Sequence, residues 1–121
     1  MTADTERDIE RVLYSVAYIL DAGEYDRMGE VFAEDVVFSN PGRLEAEGLD
    51  VLIEAFKGIA NPARSHSVTN VIVTVQGDTA TSLCKAHTVR ADGEVAPAEY
   101  SDMLRLTPEG WRVAERRIRP L

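Results

Sequence analysis

Apolar residues near the start of the chain recur every three or four positions. This spacing predicts an amphipathic helix from Thr5, as its N-cap, to about Ala22, with Gly23 as its stop. The positions are Ile9, Val12, Leu13, Val16 and Leu20. A second, shorter helix is predicted next, because three large apolar residues share one helical face: Tyr25, Met28 and Phe32.

The middle of the chain alternates between strand and helix signals. The run from Val36 to Ser39 is β-branched and aromatic, which favours a first strand, and Asn40-Pro41-Gly42 is a turn signal. A third helix is predicted after Gly48, where the apolar residues return to helical spacing. Asn61-Pro62 is expected to end it.

The chain after Pro62 is typical of strands. Four long runs are separated by turn signals, which predicts an antiparallel meander. The runs are Ser65 to Gln76, Thr79 to Arg90, Ala98 to Thr107 and Trp111 to Ile118. Helices followed by strands form the α+β pattern, in which the helices pack on one side of the sheet. A chain of 121 residues without a linker or repeat is expected to be one domain, residues 1–121.

Composition and charge narrow the classes of partner. The net charge is -8, so the field of the protein repels phosphate backbones and anionic membranes, which argues against both as partners. No Cys/His cluster has metal-ligand spacing and no glycine-rich phosphate loop is present, so no metal or cofactor is predicted. The single cysteine, Cys84, is interpreted as a small core residue. The acidic start and the lack of a long apolar run indicate a cytoplasmic protein.

One basic cluster stands out against this acidic background. It lies near the C-terminus, alternates with apolar or acidic residues, and consists of Arg112, Arg116, Arg117 and Arg119. This pattern is typical of the solvated face of an edge strand, with a binding site for an anionic ligand as the alternative.

Two polar residues stand where chemistry is expected. Asp21 ends the first helix, where the helix dipole disfavours a carboxylate, and it continues a stripe formed with Tyr14 and Tyr18. His66 begins a strand in which Val68, Asn70 and Ile72 face the same way, whereas Val71, Val73 and Val75 face the other. A carboxylate and an imidazole that meet in a pocket can perform acid–base chemistry near neutral pH.

Several segments together resemble a known family. They are Leu20-Asp21-Ala22-Gly23-Glu24-Tyr25-Asp26, Val31 to Phe38, Ser65 to Asn70, Gly77-Asp78-Thr79-Ala80 and Gly110-Trp111-Arg112-Val113. With the order of elements, they resemble the SnoaL-like group of the nuclear-transport-factor-2-like superfamily. The resemblance implies a cone-shaped α+β barrel, in which a curved antiparallel sheet wraps around the N-terminal helices and encloses a pocket. It also implies a homodimer through the outer face of the sheet, where Trp111, Val71 and Val73 are expected to supply apolar contact.

Two groups of enzymes within this superfamily point to site residues. Asp21 and His66 match an aspartate and a histidine that work in the pocket of scytalone dehydratases, whereas a second histidine of that pocket is replaced by Arg90. His87 lies nearby on the opposite strand parity, so it would need a bulge to face the cavity. Compared with ketosteroid isomerases, the oxyanion-binding acid falls on Asp102 and the catalytic base on Asn40.

These observations predict a cofactor-independent lyase or isomerase, of the dehydratase, isomerase or cyclase type, that acts on a small, largely apolar oxygenated molecule. The alternative is a non-catalytic ligand-binding or accessory domain, and a dioxygenase small subunit ranks last because the chain is short. An inward-facing Asp102 must be paired or neutral. The predicted catalytic residues are Asp21, His66 and Asp102, and the predicted substrate-binding residues are Tyr18, Asn40, Asn70, Tyr100 and Arg90.

Overall fold

A computed structural model describes residues 3–121 of the chain. Helix α1 spans Ala3–Asp21, a 3-10 helix spans Tyr25–Glu30, and helix α2 spans Leu49–Lys57. The six strands are β1 Phe32–Asn40, β2 Leu44–Glu47, β3 Ser65–Gln76, β4 Thr79–Val89, β5 Val95–Thr107 and β6 Gly110–Pro120. None of the helices in this range is long and apolar enough to cross a membrane.

The six strands form one sheet in the order β2-β1-β6-β5-β4-β3. The four C-terminal strands pair as the predicted antiparallel meander, whereas β1 runs parallel to β6. The sheet is therefore mixed. Because β2 and β3 are its two edges, the curved sheet is open, and it wraps the N-terminal helices as the predicted cone-shaped α+β barrel does without closing on itself. The α+β class is confirmed.

The core lies between the first helix and the concave face of the sheet. Apolar residues of α1 pack against the buried side chains of β1, β5 and β6, and the largest fully buried residues include Phe32, Ile9, Leu13, Met28 and Leu104. Trp111 is 7% exposed and belongs to this core. Its indole packs internally, so it is not available for a dimer contact.

Local sequence patterns predicted most elements correctly, but they misplaced two element boundaries, at Phe32 and Thr5, and did not predict strand β2. Phe32 begins β1, where it pairs with Val113, instead of ending a helix, because its ring gains more from the core than from a short helix. Helix α1 already includes Ala3, so the predicted cap Thr5 lies inside the helix. The four-residue strand β2 carries no strong pattern of its own and forms by pairing with β1.

A β-bulge changes the facing of residues along β3. The register with β4 shifts between Thr69 and Ile72, and Asn70 in the bulge has φ of 55°. After the bulge, Val71, Val73 and Val75 pack against the core, and Ile72 is 64% exposed. The prediction that Asn70 and Ile72 share the face of His66 is therefore wrong, as is the placement of Val71 and Val73 on the outer face.

Candidate functional site

A largely apolar cavity of about 860 Å³ lies between α1 and the concave face of the sheet. Leu13, Val16, Ala17 and Leu20 of α1 form one wall. The sheet and the loops at its open end form the rest, with Phe38, Phe56, Val68, Ala98 and Ile118 among the apolar residues. A cavity of this size and lining suits a small organic molecule, for which a few polar groups would set the orientation.

The structure brings Asp21 and His66 together beside this cavity. Nδ1 of the His66 ring lies 2.6 Å from Oδ1 of Asp21, and the backbone N–H of His66 donates to Oδ2 at 3.0 Å. The His66 side chain is 20% exposed and lines the cavity, whereas the Asp21 side chain is 24% exposed and stands behind the ring. The backbone bond holds the carboxylate beside His66, and the bond to Nδ1 orients the imidazole.

The geometry determines which nitrogen can react. A carboxylate is only an acceptor, so the neutral imidazole must carry its proton on Nδ1 to make the 2.6 Å contact. Nε2 is then left unprotonated and free to take a proton. After it does so, the carboxylate stabilises the imidazolium. Such a pair can act as a general base and then as a general acid.

A buried ion pair lies elsewhere on the concave face. Nε and Nη2 of Arg116 donate to the two carboxylate oxygens of Asp102 at 2.9 and 2.8 Å. The guanidinium stacks 4.5 Å from the centre of the Tyr100 ring and lies 6.0 Å from that of Phe32. Arg116 and Tyr100 line the cavity, and Asp102 lies behind them.

The surroundings of these groups shift their protonation. Burial acts to lower the pKa of the Arg116 guanidinium, but the charge and hydrogen bonds of Asp102 outweigh it, so this pKa lies above its usual value. Burial raises the pKa of the Tyr100 hydroxyl, opposed by the charge of Arg116 and by a hydrogen bond with Thr88. Arg116 is therefore a permanent cation and Tyr100 a neutral hydrogen-bond donor.

Asp102 faces inward. Of the two states predicted for an inward-facing carboxylate, paired or neutral, the structure shows the paired one. Both of its oxygens accept hydrogen bonds from Arg116. A carboxylate held in this way cannot donate a hydrogen bond to an oxyanion. The structure therefore places Asp102 as the partner of Arg116, and it does not line the cavity.

The predicted substrate-binding residues fall into two groups. Asn40, Tyr100 and Arg90 line the cavity, Arg90 near its open end with a 3.8 Å contact to Glu94. Tyr18 and Asn70 do not. The Tyr18 residue is 78% exposed and borders a separate groove, because it lies one position beyond the inward-facing Ala17 on α1. Asn70 is exposed in the bulge of β3.

Two residues considered in the sequence analysis, His87 and Cys84, do not line the cavity. His87 is exposed on the outer face of β4, where its pairing with Ser67 and Pro97 shows no bulge, so its strand parity decides its facing. Cys84 is buried in a small cluster with Ala86 and Tyr100, and burial raises the pKa of its thiol to about 11. Across residues 3–121, no group of three His, Cys, Asp or Glu side chains is arranged to hold a metal ion.

Sequence reasoning missed Arg116 as a member of the cavity wall. Its neighbours Glu115 and Arg117 are charged, so the local pattern is that of a solvated strand. The strand pairing with Asp102 opposite Arg116 is the signal that could have identified it, since a buried carboxylate needs a cation beside it.

Comparisons with known proteins agree with this architecture. The model of the SnoaL-like domain matches residues 1–117. A solved structure from Novosphingobium aromaticivorans, provisionally assigned as an aromatic ring hydroxylase, is 26% identical, with 100% of this chain and 92% of that chain covered and a TM-score of 0.87.

Two further solved structures share the fold at lower identity. A provisionally assigned scytalone dehydratase from the same organism is 22% identical, with 99% and 89% of the two chains covered and a TM-score of 0.85. A nuclear transport factor 2-like superfamily protein from Salmonella enterica is 17% identical, with 99% and 93% covered and a TM-score of 0.82. No curated protein gives a significant match. The family match over nearly the whole chain, together with the shared fold, shows that the chain belongs to the family of SnoaL-like domains.

Proposed function

We propose that this SnoaL-like domain is a cofactor-independent lyase or isomerase that acts on a small, largely apolar oxygenated molecule. The observation that carries the proposal is the 2.6 Å contact of His66 with Asp21 beside a cavity of about 860 Å³. The contact leaves Nε2 of a cavity-lining imidazole free. A solved structure at 26% identity, provisionally assigned as an aromatic ring hydroxylase, supports a ring-shaped ligand but not the type of reaction.

The proposed reaction begins with proton transfer to His66. Nε2 takes a proton from a carbon next to a carbonyl group, and the electron pair of the C–H bond moves to the carbonyl oxygen as an enolate forms. In an isomerase, the imidazolium returns the proton to another carbon of the enolate. In a lyase, it gives the proton to a hydroxyl group on the β-carbon, which leaves as water as a C=C bond forms.

The apolar wall supports this chemistry in two ways. It removes water from the reacting carbon, which strengthens the electrostatic contact between Asp21 and the imidazolium. It also binds the hydrocarbon part of the ligand at about 25 cal/mol for each Å² of apolar surface removed from water. The polar groups on the wall need only orient the ligand.

Deuterium exchange at an activated carbon tests the proposal without knowledge of the natural substrate. The probe is 2-tetralone, a neutral bicyclic ketone, in D₂O at neutral pH, with loss of its α-proton NMR signals as the readout. We expect the protein to accelerate exchange and His66→Gln to reduce that acceleration by about 10²- to 10⁴-fold. His87→Gln is the matched control, because His87 is exposed on the outer face.

The result also separates the two classes of function. Exchange that is equally fast with wild type and His66→Gln, or no acceleration by wild type, would contradict catalysis by this pair. Binding of 2-tetralone without exchange would favour a ligand-binding domain instead.

A further inference from the structure

The cavity contains a cation whose hydrogen bonds are only partly used. Arg116 is 3% exposed and forms part of the cavity wall. Its bonds to Asp102 use Nε and Nη2, so this carboxylate leaves Nη1 unengaged. A guanidinium has five N–H groups, and those of Nη1 remain available for a partner other than Asp102.

The position of this guanidinium is fixed from several sides. The bidentate contact with Asp102 sets its plane, and Tyr100 stacks at 4.5 Å. Asp102 is itself held in the sheet, where it pairs with Ser82 on one side and Arg116 on the other. A donor held this rigidly loses little conformational freedom when it binds a ligand.

The charges nearby favour a neutral ligand group. Arg116 and Asp102 carry opposite formal charges, so the pair is neutral as a whole. The cavity lining also includes Arg43, Arg90 and Asp92, and Asp21 stands behind His66. A carboxylate placed against Arg116 would lose its hydration beside the negative charge of Asp102, with which it would compete for the same guanidinium. A carbonyl or ether oxygen loses far less hydration and still accepts a hydrogen bond from a cation.

We propose that Arg116 is a specificity-determining residue whose Nη1 donates to a neutral oxygen acceptor of the ligand, such as a carbonyl or ether oxygen. Asp102 is its positioning residue. The inference rests on the proposed function in one respect, that a ligand occupies the cavity beside His66. The substrate class is therefore a neutral ring compound with an acceptor oxygen, in contrast to an aromatic carboxylate.

Paired ligands of similar shape test the inference by binding alone. The probes are 2-acetylnaphthalene, which has an acceptor oxygen, and 2-isopropylnaphthalene, which has none, with 2-naphthoate as the anionic comparison. The protein variant is the double substitution Arg116→Met with Asp102→Leu, because replacing both members of a buried pair by apolar residues preserves folding better than removing one. Circular dichroism and thermal unfolding verify its fold.

The quantity compared is the ratio of the affinities for 2-acetylnaphthalene and 2-isopropylnaphthalene. We expect this ratio to be about 10- to 100-fold larger in wild type than in the double variant, because a hydrogen bond to a charged group contributes that factor to affinity. We expect 2-naphthoate to bind wild type more weakly than 2-acetylnaphthalene. His66→Gln should retain the wild-type preference, so loss of exchange in that variant would leave this inference intact.

An infrared measurement on wild type keeps the inference testable if the double variant does not fold. The carbonyl stretch of bound 2-acetylnaphthalene should shift to lower frequency than in an apolar solvent, as expected for a hydrogen bond from a guanidinium. The same selectivity in wild type and a folded double variant, or an unshifted carbonyl stretch, would overturn the inference. Tighter binding of 2-naphthoate would overturn the neutral substrate class.

Discussion

The two carboxylates beside the cavity, Asp21 and Asp102, occupy different surroundings. The Asp21 side chain is 24% exposed and orients an imidazole that faces the cavity, whereas the Asp102 side chain is fully buried against a guanidinium. An exposed carboxylate contributes little to stability through its ion pair, but a buried one is costly to leave unmatched. Replacing Asp21 is therefore expected to affect chemistry, and replacing Asp102 to affect folding.

Asp102→Asn should lower the free energy of unfolding by about 3–5 kcal/mol, because it leaves the buried Arg116 charge without its partner. Urea denaturation followed by circular dichroism measures this change. The matched control is Asp35→Asn, which removes a surface pair with Arg105 and is expected to cost less than about 1 kcal/mol. Equal effects of the two substitutions would contradict a buried pair.

Cys84 should react slowly in the folded protein and more slowly than an ordinary thiol at moderately alkaline pH. Burial raises the pKa of its thiol to about 11, and the side chain is 2% exposed, so little accessible thiolate exists at pH 8.5. The folded state holds this proton more tightly than the unfolded state, so the contribution of Cys84 to stability decreases as pH rises from about 8.5 towards 11. The predicted slow reaction of the thiol is checked by iodoacetamide labelling followed by mass spectrometry, with urea-unfolded protein as the reference. Equal labelling rates for folded and unfolded protein would contradict it.

Local sequence patterns determine most of the elements. The four long strands and two α-helices follow from period and turn signals, because each carries its pattern over many residues. The parallel pairing of β1 with β6 and the bulge in β3 do not follow. The first joins segments far apart in sequence, and the second lies at Asn70, a single residue in a run whose other members keep a strand pattern. The contact of Asp21 with His66 could be predicted from the family resemblance. The place of Arg116 in the cavity wall could not, because it depends on the strand pairing that sets Arg116 opposite Asp102.

The bulge in β3 places a specific demand on Asn70. Its φ of 55° lies in the left-handed region, which asparagine tolerates and β-branched residues do not. Asn70→Val should therefore lower the free energy of unfolding by about 1–2 kcal/mol, whereas Asn70→Gly should be close to neutral. Thr69→Val is the control, as the adjacent exposed position of β3. A valine at position 70 that costs no more than one at position 69 would contradict a strained bulge.

One curved open sheet provides two surfaces in this protein. The concave face holds the core and the cavity, and the outer face presents a patch in which Ile72 pairs with Leu83 and Thr81 pairs with Met103. Ile72 is 64% exposed and Leu83 is 41% exposed. Exposed apolar residues grouped on a sheet face are typical of an interface.

We expect the chain to form a homodimer through this outer patch, with Ile72 and Leu83 in place of the buried Trp111. The double substitution Ile72→Asp with Leu83→Asp should convert the dimer to a monomer, because it places charges in the apolar contact. Light scattering coupled to size-exclusion chromatography measures the mass. Val51→Asp, at a 55% exposed position of α2, is the control. A monomeric wild type at micromolar concentration, or a dimer that survives both charges, would contradict this interface.

The proposed chemistry depends on Asp21, which holds the His66 ring so that Nε2 is free to accept a proton in the cavity. Nitrogen-15 NMR of the imidazole, at a pH where the ring is neutral, tests this claim without a substrate. His87→Gln removes the signals of the other histidine. We expect a ring protonated at Nδ1 in the parent protein and a shift towards the Nε2-protonated tautomer in Asp21→Asn. A neutral His66 protonated mainly at Nε2 when Asp21 is present would contradict this role of Asp21.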